Sequence, residues 1–509
     1  MSETQLTAPH EATAPPAAPP PAVPATVPQP GLWDRALDNL RSRWREIAAS
    51  ARGAVGAPPR SYLPKEDAER LKLQMEACLE GRGGEVSARA RAAQLGRTYL
   101  SLDPAGRRNF LVMLARDFDV DRAAVDRAMA TFLAAGDPVG RGHAERALRE
   151  ALEPPRLRLL TQFNGLPDGV KFLVDLRAEL MEAGRDEPLL EALGDDLKSL
   201  LKSWFDVGFL ELTRITWDSP ASLLEKLIKY EAVHEIRGWQ DLKDRLDSDR
   251  RCFAFFHPRM PNEPLIFVEV ALVQGLSADV QSLLDPTAPV RDPSAADTAI
   301  FYSISNAQKG LAGISFGNFL IKRVVDSLAA EFPNLKTFAT LSPIPGFRRW
   351  LDRRIKEDGD GVLTEAERTA LSEALGYADS GEDGAEPAGR LAAALALAGW
   401  HRDERIARAL KGPLMRLGAV YLTGVEPHGR EGRPRARDPV AHFHLSNGAR
   451  MERLNWLADL SERGLRQSCG MMINYKYRLS EIDSNHEAYR GEGKVIASSA
   501  IRSAARAAG

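Results

Sequence analysis

Cysteine is scarce in this sequence: three in 509 residues, Cys78, Cys252 and Cys469, with no CxxC pair. That argues against a disulfide framework and a structural zinc site, and a reducing cytoplasm suits the chain. No apolar run reaches the roughly 18 residues that span a bilayer, so no membrane span is expected. Basic excess is missing too. Lys and Arg total 68 against 70 Asp and Glu, a net charge of −2. A general nucleic-acid binder would be basic, so none is expected as a partner. Neither a Walker loop nor GxGxxG occurs. Before Arg35 there is no arginine and no apolar h-region, the marks of transit and secretory peptides.

What is present is a soluble globular balance, 44% hydrophobic and 27% charged, in a chain long enough for two or more domains. Residues 1–31 form a Pro/Ala-rich tail, with eight prolines and six alanines between Glu11 and Pro30. It cannot build a core and is expected to be disordered. Residues 32–203 read as helix after helix. In "LWDRALDNLRSRWREIA", Trp33, Leu37, Leu40, Trp44 and Ile47 recur at helical spacing. Such a helix docks on protein or lies on a membrane surface, and docking is favoured because helical periodicity mainly reports a buried face. "SLDPAGRRNFLVMLARDF" opens on an Asp–Pro cap and first-turn proline. No catalytic constellation is visible in this region, so an assembly role is expected.

After Trp204 the texture changes. "RCFAFFHP", "EPLIFVEVALV" and "AIFYSISN" read as strands, and helical stretches alternate with them. The fold class is therefore α+β: a helical bundle, then a mixed domain over 204–509 with a variable helical insert around 355–437. Within that insert, "DGDGVLTEAE" half-resembles a calcium loop. Its first ligand position would be Lys356, however, and a turn with Thr364 capping the next helix explains it better.

Three places carry chemistry. Gly310, Gly313 and Gly317 lie between a strand and a helix, where backbone N–H groups can approach an anion. In "TLSPIPGFRRW", Ser342 sits after a strand on chain stiffened by two prolines. In "VAHFHLSNGARMERLNWLADLSERG", His442 and His444 read as alternating on a strand, and the residues after them as a helix closing at Gly464. An HxH pair can hold a metal, but no third ligand is evident. "GMMINYKYRL" reads as a final strand with Tyr475 and Tyr477 on one face, and a histidine near them suits acid–base work.

The blocks "AIFYSISNAQKGLAGISFGNFLIKRVVDSLAAEFPNLKTFATLSPIPGF", "HFHLSNGARMERLNWLADLSERGLRQSCGMMINYKYRL" and "RCFAFFHPRMPNEPLIFVEVAL" closely resemble malonyl-CoA decarboxylase. The resemblance covers Trp204 to the C-terminus apart from the insert. It implies a catalytic domain of the GCN5-related N-acetyltransferase fold behind a helical bundle. It implies Ser342 and His444 as catalytic residues, with Tyr477 in support. It places the acyl-CoA turn on Ala312, Gly313, Ile314, Ser315, Phe316, Gly317 and Asn318. Malonyl-CoA and acetyl-CoA are the implied ligands. No cofactor or metal is expected, because the thioester carbonyl is itself the electron sink. The assembly role read from the helical region leads to an expected homo-oligomer, dimer or tetramer, built through that region. The rival on the same fold is an acyl-CoA-dependent acyltransferase.

Overall fold

The computed structural model describes residues 32–49, 58–80, 84–184, 187–205, 207–314, 320–377, 389–426 and 434–506. The Pro/Ala tail, the acidic loop around 380–388 and Ser315, Phe316, Gly317 and Asn318 lie outside the described residues.

The helical region runs to the helix Pro188–Trp204. Its start signals work as caps: Asp103 accepts from Gly106 N–H with Pro104 in the first turn. Asp121 and Asp137 cap the next two helices in the same way. Each such cap contributes about 1 kcal/mol. The first helix, Leu32–Ala49, docks on the protein. Trp44 is fully buried against Phe163 and Phe172, and its indole N–H donates to the Pro167 carbonyl at 2.8 Å.

The second part is built on one twisted sheet. Its strands are β1 (Glu211–Ile215), β2 (Arg250–Phe256), β3 (Ile266–Val273), β4 (Thr298–Asn306), β5 (Thr337–Thr340) and β6 (Ser342–Pro343). A small hairpin of β7 (Val425–Glu426) and β8 (Arg435–Ala436) stands apart, and β9 (Arg450–Asn455) and β10 (Met472–Tyr477) complete the sheet. β1 to β4 are antiparallel neighbours. β4 and β5 pair in parallel, and β10 runs antiparallel to β5, β6 and β9. Every residue of β3 is buried, as expected of a central strand.

The parallel pair does not stay closed. Pairing of β4 with β5 ends at Phe301↔Thr340, with a last bond from Leu341 N–H to the Phe301 carbonyl. Ser342 and Pro343 then pair with β10 instead, and Pro343 has no N–H to offer β4. Residues 302–306 of β4 are left facing a wedge.

Two sequence readings are corrected here. "HFHLS" is helical, Pro439–Ser446, not a strand. Asp438 caps it and Pro439 opens it, the same Asp–Pro signal as at 103–104. The following "SNG" ends that helix, with Gly448 at φ +77, rather than starting another. "RMERLN" is β9, and the only helix before Cys469 in that stretch is Glu462–Ser468. Cross-strand pairing with β10 decides this against the mixed polar pattern. In the insert, Thr364 and Glu367 form a capping box, and Asp360 accepts from Arg390, so turn chemistry explains the DGDG run.

The helical region and the sheet share one continuous apolar core, running from Leu197 and Leu201 through Phe205 to Phe253, Phe255 and Val268.

Candidate active site

The wedge is a cavity of about 230 Å³. Phe301, Tyr302, Ile304 and Asn306 form one wall and Leu341, Ser342 and Pro343 the other. The helix Pro439–Ser446 closes it with Val440, Phe443 and His444, and Val233 also lines it. Among the described residues no Asp, Glu, Lys or Arg lines this cavity.

Ser342 and His444 are 102 residues apart in sequence, yet Ser342 Oγ is 3.0 Å from His444 Nε2. On its other side, Nδ1 is 2.8 Å from Tyr477 Oη. Ser342 donates to Thr340 Oγ1 at 2.8 Å, and Thr340 Oγ1 also accepts the Tyr475 N–H at 3.1 Å. With the serine proton spent on Thr340, Nε2 carries the imidazole proton and donates to Ser342 Oγ. Nδ1 is then bare and accepts from the Tyr477 hydroxyl. The result is one directed chain, Tyr477 to His444 to Ser342 to Thr340.

The chain is uncharged at rest. His444 is pushed down to about 3 by burial, so it is a neutral imidazole near neutral pH. Burial holds the Tyr477 hydroxyl well above its ordinary range, so it stays protonated. The imidazole is stacked on Tyr475, ring centres 4.4 Å apart and 23° between planes.

Asp438 lies between the Ser342 and His444 segments. Its carboxylate accepts Val440 and Ala441 N–H at 2.9 Å, at the start of the histidine helix. It also accepts from Tyr421 Oη at 3.3 Å, and the Gly346 amide, within the "SPIPGF" turn, favours its ionised form. A side chain on Gly346 would meet Tyr421 Oη at 2.1 Å, which is why glycine stands there.

Ser342, His444 and Tyr477 are thus brought together. His442 points elsewhere, its Nδ1 2.7 Å from Tyr489 Oη, because residues two apart on a helix face different sides. Among the described residues no group of three His, Cys, Asp or Glu could hold a metal. Of the expected acyl-CoA turn, Ala312, Gly313 and Ile314 follow the short 3-10 turn Lys309–Leu311, just beyond Asn306 at the cavity rim. Gly313 has φ +75, where a side chain would be strained. Sequence reading missed Thr340 and Asp438. The signals were available: Thr340 is two residues before Ser342 on a strand, hence on the same face, and Asp438 precedes a proline.

A larger cleft, about 450 Å³, is lined by residues between 235 and 250 and between 283 and 290 and holds neither Ser342 nor His444. Its lining is net acidic, Glu235, Asp241, Asp244, Asp247, Asp249 and Asp285 against Arg237, Arg245 and Arg250, and two of the arginines are already paired, Arg245 with Asp241 and Glu269 and Arg250 with Asp249. The smaller wedge is the cavity that brings Ser342 and His444 together.

Comparison with known proteins covers both parts of the chain. Residues 208–509 match the malonyl-CoA decarboxylase C-terminal domain, and residues 118–205 match the N-terminal domain of the same family. A mitochondrial malonyl-CoA decarboxylase of Anser anser anser is 40% identical over 432 residues, 82% of this chain and 83% of that protein. One of Rattus norvegicus is 38% identical over 468 residues, 87% of this chain and 89% of that protein. The crystal structure of malonyl-CoA decarboxylase from Rhodopseudomonas palustris superposes with a TM-score of 0.76 at 42% identity, covering 86% of this chain and 99% of that one. That from Agrobacterium vitis gives 0.74 at 41% identity, with the same coverage. Matched along its helical region and its sheet, the chain belongs to the malonyl-CoA decarboxylase family, and with it to the carboxy-lyases.

Proposed function

We propose that the wedge converts malonyl-CoA to acetyl-CoA and CO2 through a thioester enolate, with Ser342 positioning the carboxylate and His444 handling the proton. The observation that carries this reading is the uncharged Tyr477–His444–Ser342 chain at a cavity that no charged side chain among the described residues lines. The electron pair of the breaking C–C bond moves into the thioester, and neutral CO2 departs. Charge therefore leaves the carboxylate, and a fixed cation there would favour the ground state over the transition state. A hydroxyl orients the carboxylate without that penalty. One proton, ultimately from water, must then reach Cα. His444 enters uncharged, and Tyr477 on Nδ1 fixes which nitrogen faces the serine and hence the substrate.

The sheet supports the GCN5-related N-acetyltransferase fold, since its parallel pair parts into a ligand wedge. Acyl-CoA would reach it along Ala312–Asn318. We assign 1–31 as tail, 32–203 as helical region and 204–509 as catalytic domain. The helical region would also join protomers. Its helix Arg122–Ala134 buries no residue, and with Pro138–Leu152 it exposes Met129, Leu133, Val139 and Leu152. Three buried cysteines without disulfides fit a reducing cytoplasm, and no helix among the described residues is long and apolar enough to cross a membrane.

The test is incubation with malonyl-CoA alone. Acetyl-CoA and CO2 in equal amounts, with no acceptor added, are expected. An acyltransferase would leave malonyl-CoA intact until an acceptor nucleophile was supplied, and that outcome would reject the reading.

A further inference from the structure

The turn assigned to acyl-CoA is held by the helical region. Gly310 packs so closely on the helix Gly169–Ala183 that a side chain there would meet the Val174 carbonyl at 1.7 Å. Arg177, on the same helix and 5% exposed, donates to the Gly310 carbonyl and to the Ala312 carbonyl at 2.9 Å. One planar guanidinium thus fixes two carbonyls of one turn, a geometry lysine cannot copy. Lys198, from the helix Pro188–Trp204, comes to the other side: its Nζ lies 3.8 Å from where a side chain on Gly313 would begin. Lys198 is half-buried and enters no ion pair among the described residues. An ammonium held beside an open glycine in left-handed conformation is an arrangement suited to a phosphate oxygen.

We infer that the helical region is a working part of the substrate site: Lys198 contacts a phosphate of the acyl-CoA, and Arg177 positions the turn that presents it. The inference rests on the acyl-CoA reading above and extends it to a region otherwise assigned only to assembly.

The experiment uses the full chain and three substrates: malonyl-CoA, its 3′-dephospho form, and malonyl-pantetheine, which lacks the diphosphate as well. Lys198→Met should raise KM for malonyl-CoA about tenfold, the low end for a charge-assisted hydrogen bond, with kcat little changed. With malonyl-pantetheine, Lys198→Met and the parent should be equal. A penalty kept with the dephospho form identifies the diphosphate as the contact, and one lost there identifies the 3′-phosphate. Arg177→Lys should raise KM for malonyl-CoA with kcat on malonyl-pantetheine retained. Should that variant fold poorly, Lys198→Met carries the test by itself. Equal KM values for Lys198→Met and parent on malonyl-CoA, or an equal penalty on all three substrates, would overturn the inference while leaving the decarboxylase reading standing. No acetyl-CoA from the parent chain would remove both.

Discussion

Ser342, His444 and Tyr477 form a unit whose parts differ in kind. Ser342→Ala should slow CO2 release by about 10²–10⁴-fold, typical for a positioned group, with a smaller change in KM. His444→Asn should also slow turnover, but by stranding the enolate, so its solvent isotope effect in D2O should differ from the parent's while that of Ser342→Ala should not. Parent-like turnover in either variant would take that residue out of the mechanism. The histidine also links stability to pH. In the folded chain it is held down to about 3, against an ordinary value of 6.5, by burial. The unfolded chain therefore binds a proton that the folded chain refuses between those values. Its contribution is complete above about 6.5 and is lost as pH falls towards 3. Urea unfolding at about pH 7.5 and about pH 5 should show the loss, and His444→Gln should make it smaller. An undiminished loss in the variant would assign the pH dependence to other groups.

At the level of elements, two short segments make the site: the proline-braced strand end at Ser342 and the helix Pro439–Ser446. The Ser342–His444 hydrogen bond runs directly between them. Asp438 lies between them, fully buried: it accepts from Val440 and Ala441 N–H at the helix start and from Tyr421 Oη, and the Gly346 amide of the turn favours its ionised form. Asp438→Asn keeps the shape but places an NH2 where acceptors are required. It should cost about 1–3 kcal/mol in urea unfolding and lower kcat more than it raises KM, because the serine–histidine alignment suffers before CoA binding does. A variant with lost stability but unchanged kcat would show Asp438 to be a cap and nothing more.

For the whole molecule, the shared core between helical region and sheet has a consequence for truncation. Removing residues up to 203 would bare the faces around Phe205, Phe253 and Phe255, so the helical region and the sheet fold as one body. His257 marks the junction, its ring against Phe205 at 4.7 Å and its Nε2 3.1 Å from the Trp204 carbonyl. Assembly is better probed at the exposed hairpin. Met129→Glu with Leu133→Glu, on residues 46% and 73% exposed, should yield a smaller species by light scattering with the fold intact. An unchanged mass would move the interface elsewhere.

Much of this protein is written locally. Runs rich in Phe, Val and Ile made β2, β3 and β4 legible, and Asp and Thr caps marked helix starts, because these signals act within a few residues. The stiffness at Ser342 was equally local, set by its two prolines. Tertiary structure decided the rest. "HFHLS" is too short for its period to distinguish helix from strand, and β9 became a strand because β10 was there to pair with it. The approach of Ser342 to His444 spans 102 residues, and no local rule reaches that far. The neutral state of the imidazole comes from burial, which belongs to the assembled fold and not to a histidine in a sequence. Lys198 and Arg177 reach the glycine turn only because packing lays their helices against it.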